Sequence, residues 1–169
     1  MDYVLAQVNI ARLLAPLDSP LIAGFVAALD PVNARADAAP GFLWRLQTED
    51  GDATAISGFE SEGTTDLVIN LSVWETVEDL AAYVFGDPGH RAVLRRRREW
   101  FEKMTEAYAA LWWVPRGHAP TVAEAEERVA CLREHGPTPR AFTLRRHFPA
   151  PDQPDETAAR TREDWSCPA

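Results

Sequence analysis

Long hydrophobic runs are missing from this sequence. No apolar stretch among its 169 residues is long enough to cross a bilayer as a helix, so no membrane partner is expected. The N-terminus opens with Met1-Asp2 and has no basic segment before its apolar part. No secretory signal is expected, and the chain reads as cytoplasmic. Cysteine is scarce: Cys131 and Cys167 are too few for a disulfide framework. Basic charge is also short, with 17 Lys and Arg against 26 Asp and Glu and a formal net charge of -9. A nucleic-acid binder normally carries a basic footprint, so no nucleic-acid partner is expected. No GxGxxG fingerprint occurs, so no dinucleotide or flavin cofactor is called for.

What is present suits one core in one domain of about 148 residues. Alternating β-rich segments at 2–11, 42–48, 66–75 and 109–114 predict four strands, and 141–148 predicts a fifth. Ser19-Pro20 is a start signal for a first helix, with Asp30-Pro31 predicted to break or restart it. Residues 49–65 read as an acidic, Gly-rich loop holding at most a short hairpin piece. Thr76 is the predicted cap of a helix over 77–85. Gly86-Asp87-Pro88-Gly89 then separates it from a longer helix, 88–106. Thr121 and Glu124 form a capping box for a helix over 121–136, which Gly136-Pro137 stops. From Pro149 the chain is acidic and Pro-rich, and residues 149–169 read as a mobile tail. The order β-α-β-β-α-α-β-α-β points to an α+β protein whose antiparallel sheet has helices on one face.

The strands have two unlike faces. One is aliphatic: Val4, Ala6, Val8 and Ile10, with Leu67, Ile69, Leu71 and Val73. The other mixes apolar groups with amides and a hydroxyl: Leu5, Gln7 and Asn9, with Val68, Asn70, Ser72 and Trp74. The aliphatic face suits helices. The mixed face suits a semi-enclosed ligand pocket, or else a wet interface in which the amides bond each other. Left open, it would expose an apolar patch, which predicts a homodimer through it. Trp44 and Trp113 are further candidates to line the pocket; adjacent Trp112 and Trp113 must point to opposite faces.

The helix at 88–106 holds the chemistry-bearing candidates. At helical spacing, His90, Val93, Leu94, Arg97, Phe101 and Met104 share one inward stripe, while Arg95 and Arg96 point to solvent. An inward Arg97 needs a carboxylate or an anionic ligand. A histidine at a helix start is biased towards the neutral imidazole, which suits a general base, a donor to a substrate oxygen, or a plain turn cap. Cys131 and His135, four apart, are a possible metal pair, but no third ligand is near in sequence and no metal is expected.

The segments "LVINLSVWETVEDLAAYVF", "HRAVLRRRREWF" and "LWWVPRGHAPT" resemble a bacterial family of unknown function. That family is similar to the antibiotic-biosynthesis monooxygenases of the dimeric α/β-barrel superfamily. The resemblance covers residues 3–148. It implies a ferredoxin-like sheet with an extra C-terminal helix and strand, packed against a partner's sheet as a homodimer. The stretch "WETVEDLAAYVFGDPGH" also resembles the segment that carries the catalytic Tyr and His of plant polyketide cyclases. His90 matches the histidine directly; Tyr83 matches the tyrosine if one extra residue is allowed in the turn. The resemblance thus implies a small cofactor-independent enzyme acting on an aromatic or polyketide-like molecule. His90 would be the acid/base, Tyr83 or Asn70 would hold an oxygen, and Arg97 would hold an anionic end. A non-catalytic small-molecule-binding or stress protein of the same fold is the alternative, and a haem or metal protein a third.

Overall fold

The computed structural model describes residues 2–47, 59 and 66–153. Four strands form one antiparallel sheet: β1 (Tyr3–Arg12), β2 (Phe42–Arg45), β3 (Leu67–Trp74) and β4 (Ala109–Pro115). Their order is β2-β3-β1-β4. The β-branched, alternating β1 lies in the interior of the sheet. It pairs Ala6 with Val73 on one side and with Trp112 on the other. Two helical crossovers join strands that are one place apart: α1 (Ala23–Asp37), then α2 (Val77–Gly86) with α3 (Pro88–Arg96). A C-terminal helix, α4 (Val122–His135), follows the sheet. This is the antiparallel α+β arrangement that the pattern predicts and the ferredoxin-like one that the resemblance implies. Among the described residues, no helix is long and apolar enough to cross a membrane.

Both faces of the sheet are covered, and the assignment of helices differs from the expectation. The aliphatic face (Val4, Ala6, Val8, Ile10, Ile69, Leu71, Val73) packs with Ala125, Val129 and Leu132 of α4 and with Phe59. The crossover helices cover the mixed face instead. Leu5, Trp74 and Leu111 pack with Val77 and Leu80 of α2 and with Phe142. At the other end, Val68 packs with Ile22 and Phe25 of the α1 region and Val93 of α3. Leu5 and Trp74 are therefore buried within one chain, at 0% and 1% exposure. Among the described residues, the mixed face carries no open apolar patch of the kind on which a dimer through it was expected.

Local chemistry explains the helix ends. Thr76 Oγ1 accepts from Asp79 N–H at 3.1 Å, and Thr121 Oγ1 from Glu124 N–H at 3.1 Å, so both predicted caps hold. Ser19 does not cap α1. Its hydroxyl accepts from Leu21 N–H in a preceding turn, and the helix starts at Ala23. Pro31 lies inside α1 without ending it. A proline there forfeits one backbone hydrogen bond, and packing of Phe25 and Leu29 keeps the helix continuous.

The long helix predicted over 88–106 stops at Arg96, and Arg97–Glu99 tighten into one 3-10 turn. The end of β1 captures the chain that follows: Leu14 N–H donates to Trp100 C=O at 2.8 Å, and Glu102 N–H donates to Arg12 C=O at 2.9 Å. Trp100 is 2% exposed and packs beside Phe25. Burying that ring and pairing the backbone outweigh two further turns of helix.

The predicted fifth strand is reduced to bridges, Leu111 with Phe142 and Thr138 with Ala141. Packing nevertheless runs past Phe148: the Trp113 indole donates to Phe148 C=O at 2.9 Å, and Ala150 is buried. The remainder of the expected tail, 154–169, and most of the acidic loop at 49–65 lie outside the described residues.

Candidate active site at the α2–α3 junction

Asp87 builds the junction. Its N–H donates to Tyr83 C=O at 3.1 Å, closing α2. Its carboxylate accepts from His90 N–H at 2.8 Å, opening α3, and stands 3.5 Å from the Arg35 guanidinium. One extended residue (φ -69°, ψ 122°) thus ends one helix and starts the next. Pro88 follows at the first helical position, where its missing N–H costs nothing. From sequence this stretch reads as a turn signal, and Asp87 does not stand out as its anchor. Its Asp-Pro pair, an N-cap before a first-turn proline, was the available clue.

The junction turns His90 back onto α2. Its Nδ1 lies 3.1 Å from Val84 C=O. A carbonyl can only accept, so Nδ1 carries the proton and Nε2 keeps a lone pair. Burial pulls the imidazole below its usual pKa; the Val84 carbonyl and the Asp87 charge oppose that without reversing it. The shift favours the neutral imidazole, with the proton on Nδ1 and the lone pair on Nε2.

Tyr83 lies between His90 and the sheet. Its ring centroid is 4.9 Å from His90 and 5.3 Å from Trp74, stacked on the latter at 29°. Its hydroxyl donates to Val32 C=O at 3.1 Å. Burial first, then the Asp87 charge, pushes its pKa to about 12, so it stays a phenol. Behind it, the Trp74 indole donates to Ser72 Oγ at 2.9 Å, and Ser72 Oγ donates to Gln7 Oε1 at 2.9 Å. A continuous line of groups therefore runs from Gln7 in the sheet to His90 on α3.

Five of the predicted site residues converge on that line: His90, Tyr83, Trp74, Ser72 and Gln7. Asn9 and Asn70 face each other across β1 and β3, one pair further along, with Asn70 exposed. Trp113 shares the face but sits beyond Leu5, against Phe142. Trp44 pairs with Val73 and packs on the aliphatic side, so it does not line this site. Arg97 is exposed and does not join His90, because the helical spacing that aligned them ends at Arg96. Arg95 and Arg96 are exposed, as the stripe predicted. Cys131 packs at the edge of the aliphatic core while His135 is exposed, so this pair forms no joint site.

The expected open pocket over the mixed face is filled at its apolar end by Val77, Leu80 and Phe142. Its inner amide and hydroxyl satisfy each other, which is the second of the two readings that the strand pattern allowed. Clefts lie beside α4 and between α1 and α3 on the described surface, and neither is lined by His90, Tyr83, Trp74, Gln7, Asn9, Asn70 or Ser72, so the shared cavity expected for His90 and Arg97 is not formed by these clefts.

A family profile described as "Domain of unknown function (DUF3291)" matches residues 4–159. No match was found among curated proteins. Among solved structures, a Pseudomonas aeruginosa protein is 12% identical with a TM-score of 0.45; the match covers 70% of this chain and 98% of that one. SnoaB, a cofactor-independent oxygenase from Streptomyces nogalater, is 16% identical with a TM-score of 0.41, over 72% of this chain and 100% of that one. A NIPSNAP family protein with unknown function from Agrobacterium tumefaciens is 10% identical with a TM-score of 0.38, over 72% and 95%.

Proposed function

The chain belongs to the DUF3291 family, and from that premise we propose that it is a small enzyme that works without an organic cofactor or metal. His90 moves a proton on an aromatic or polyketide-like molecule. The observation that supports this is the placement of His90: its Nδ1 is held by Val84 C=O, which leaves the Nε2 lone pair to take a proton. A base of this kind removes a proton beside a ketone or from a phenol, and the same imidazolium returns it in a cyclisation or isomerisation. A carbanion formed in this way also reacts directly with oxygen, which gives the monooxygenase variant. Tyr83 stays protonated and its hydroxyl is committed to Val32, so its role is to stack and fix the imidazole. Asn70 and Asn9 are the amides left to hold a substrate oxygen. Arg97, being exposed, is not offered as its anionic clamp.

The test is to recover the small molecule that copurifies from the native host, identify it by mass spectrometry, and incubate it with the wild type and His90→Gln. General acid–base catalysis contributes about 100- to 10,000-fold, so turnover should fall at least about 100-fold. Equal turnover by both removes His90 from the chemistry. A ligand returned unchanged by both supports the second reading, a non-catalytic binding or stress protein. A Soret band or a stoichiometric metal in the purified protein would point to the haem or metal alternative. A homodimer stays within the proposal, on a surface other than the mixed face. Phe85 on α2 and Leu43 on edge strand β2 are 63% and 42% exposed, and association would cover such groups. A compact monomer by light scattering at micromolar concentration removes it.

A further inference from the structure

The cleft between α1 and α3 borders the α2–α3 junction, sharing Val32, which accepts from Tyr83, and Arg35, which faces Asp87, but His90 itself does not line it. The two helices run antiparallel: Gly89 near the start of α3 meets Arg35 near the end of α1, and Arg96 at the end of α3 meets Gly24 near the start of α1. Each helix sends an arginine over a glycine of the other. At Gly89 the approach is close: a Cβ there would lie 2.5 Å from Arg35 Nε, so the Arg35 side chain would have to move. At the far end the Arg96 guanidinium stands 4.7 Å from the centre of the buried Trp100 ring. Between the two arginines the walls are Ala28, Pro31, Val32, Ala92 and Val93.

The cleft is amphipathic in a defined way. Its volume is about 230 Å³, below the roughly 300–1,000 Å³ of sites for drug-sized ligands, which limits the occupant to a small molecule. Its two cationic ends are unequal. Arg96 is engaged from two nitrogens by Glu99. Arg35 meets Asp87 with Nε at 3.5 Å, too long for a good hydrogen bond, and its side chain is 44% exposed. The terminal N–H groups of Arg35 thus remain for a bidentate acceptor, the geometry that a guanidinium offers a carboxylate. In a chain of net charge -9, a cation held over a glycine at the mouth of an apolar cleft is a selective feature.

We propose that this cleft is a binding site for a small apolar carboxylate. The carboxylate sits on Arg35, and the alkyl or aryl body lies between α1 and α3 towards Trp100. The site makes no use of the His90 side chain.

Phenylacetate and its neutral amide, phenylacetamide, are the probes, titrated by calorimetry at pH 7 into the full-length protein. The acid should bind saturably, with a dissociation constant on the order of 1 mM or below for a ligand of this size. It should bind at least about tenfold more tightly than the amide. Arg35→Gln should level the two. Ala92→Phe should block both by filling the cleft. His90→Gln should leave binding of the acid unchanged, which separates failure here from failure of the catalytic reading. Amide resonances of Gly89 and Gly24 should shift with phenylacetate in the wild type, a readout that needs no variant. Absence of saturable binding up to about 10 mM overturns the proposal. So does equal affinity for acid and amide, or an Arg35→Gln variant that keeps the preference.

Discussion

On the aliphatic face of the sheet, Ile69, Leu71, Val8 and Val73 meet α4 as hydrocarbon against hydrocarbon. On the mixed face, the same strands offer Leu5 and Trp74 to α2, and between them place Gln7 and Ser72, which bond to each other and to the Trp74 indole. The first face is stabilised in proportion to apolar area and tolerates changes of shape that keep volume. The second also depends on donors and acceptors being matched, because an orphaned buried polar group costs about 1–3 kcal/mol. Each face has a histidine near its covering helix, and the two differ in the same sense. His90, on the crossover helix α3, is half-buried and bonded to a carbonyl, and burial favours its neutral form. His118, ahead of α4, is exposed, with Nε2 2.8 Å from Glu124, whose other oxygen accepts from the Trp112 indole at 3.0 Å. Burial raises the Glu124 pKa, but these bonds outweigh it and the net shift is downward. A fixed neutral imidazole suits proton transfer; an exposed imidazole against a carboxylate suits tethering a helix.

The largest effect should come from the aliphatic face. Leu71→Ala, at a site with 0% exposure, should cost about 2–5 kcal/mol in urea unfolding. A loss below about 1 kcal/mol would mean that α4 does not seal this face. Next, Ser72→Ala should cost about 1–3 kcal/mol although it removes a single oxygen, because it orphans the Trp74 N–H and the Gln7 carbonyl. The double variant Ser72→Ala with Trp74→Phe should cost less than the sum of the two singles. Additivity would show that the network is solvated. Thr121→Ala and Thr76→Ala each remove a cap and should cost about 1 kcal/mol, the first loosening α4 and the second α2. Hydrogen exchange in each helix can assign the two losses separately.

The smallest effect is the pH dependence, and it distinguishes the faces by position on the pH scale. The folded-state pKa of His90 is lowered, so its neutral form is favoured in the native protein. Its contribution is present above the unfolded value of about 6.5 and is lost as pH falls from there through the folded value. His90→Gln should flatten the stability profile below about pH 6.5 and leave it unchanged above. Glu124 is also lowered, so its contribution is present above the ordinary carboxylate range and is lost as pH falls through its folded pKa. Glu124→Gln should therefore alter the profile only in more acidic solution.

Much of the frame was legible because it rests on local rules. Period-two alternation identified Val4, Ala6, Val8 and Ile10 as one face, since successive side chains of a strand point to opposite sides. Thr76 and Thr121 were legible as caps because an N-cap serves backbone groups only three residues away. The convergence of Tyr83, His90 and Trp74 was legible only in part. Their placement on the elements followed from pattern, but the stack depends on Asp87 ending one helix while starting another. Arg97 was misplaced because a helical wheel assumes that the helix continues. Trp100 and Phe101 instead left it to meet Leu13 and Phe25 from the other end of the chain.

By itself the sequence determined which residues share a strand face, where the caps lie, and that an imidazole opens a helix after a Pro-Gly pair. Each follows from contacts within a few residues. Only the tertiary structure decided what covers each face. Both faces of this sheet are apolar enough to take a helix, so hydrophobicity could not choose between them. β1 and β2 run parallel on either side of β3, as β3 and β4 do about β1, and crossovers of one hand between such pairs must lie on the same side of the sheet. That chirality placed α1, α2 and α3 over the amides and indole, left the aliphatic face to α4, and brought His90 against Tyr83.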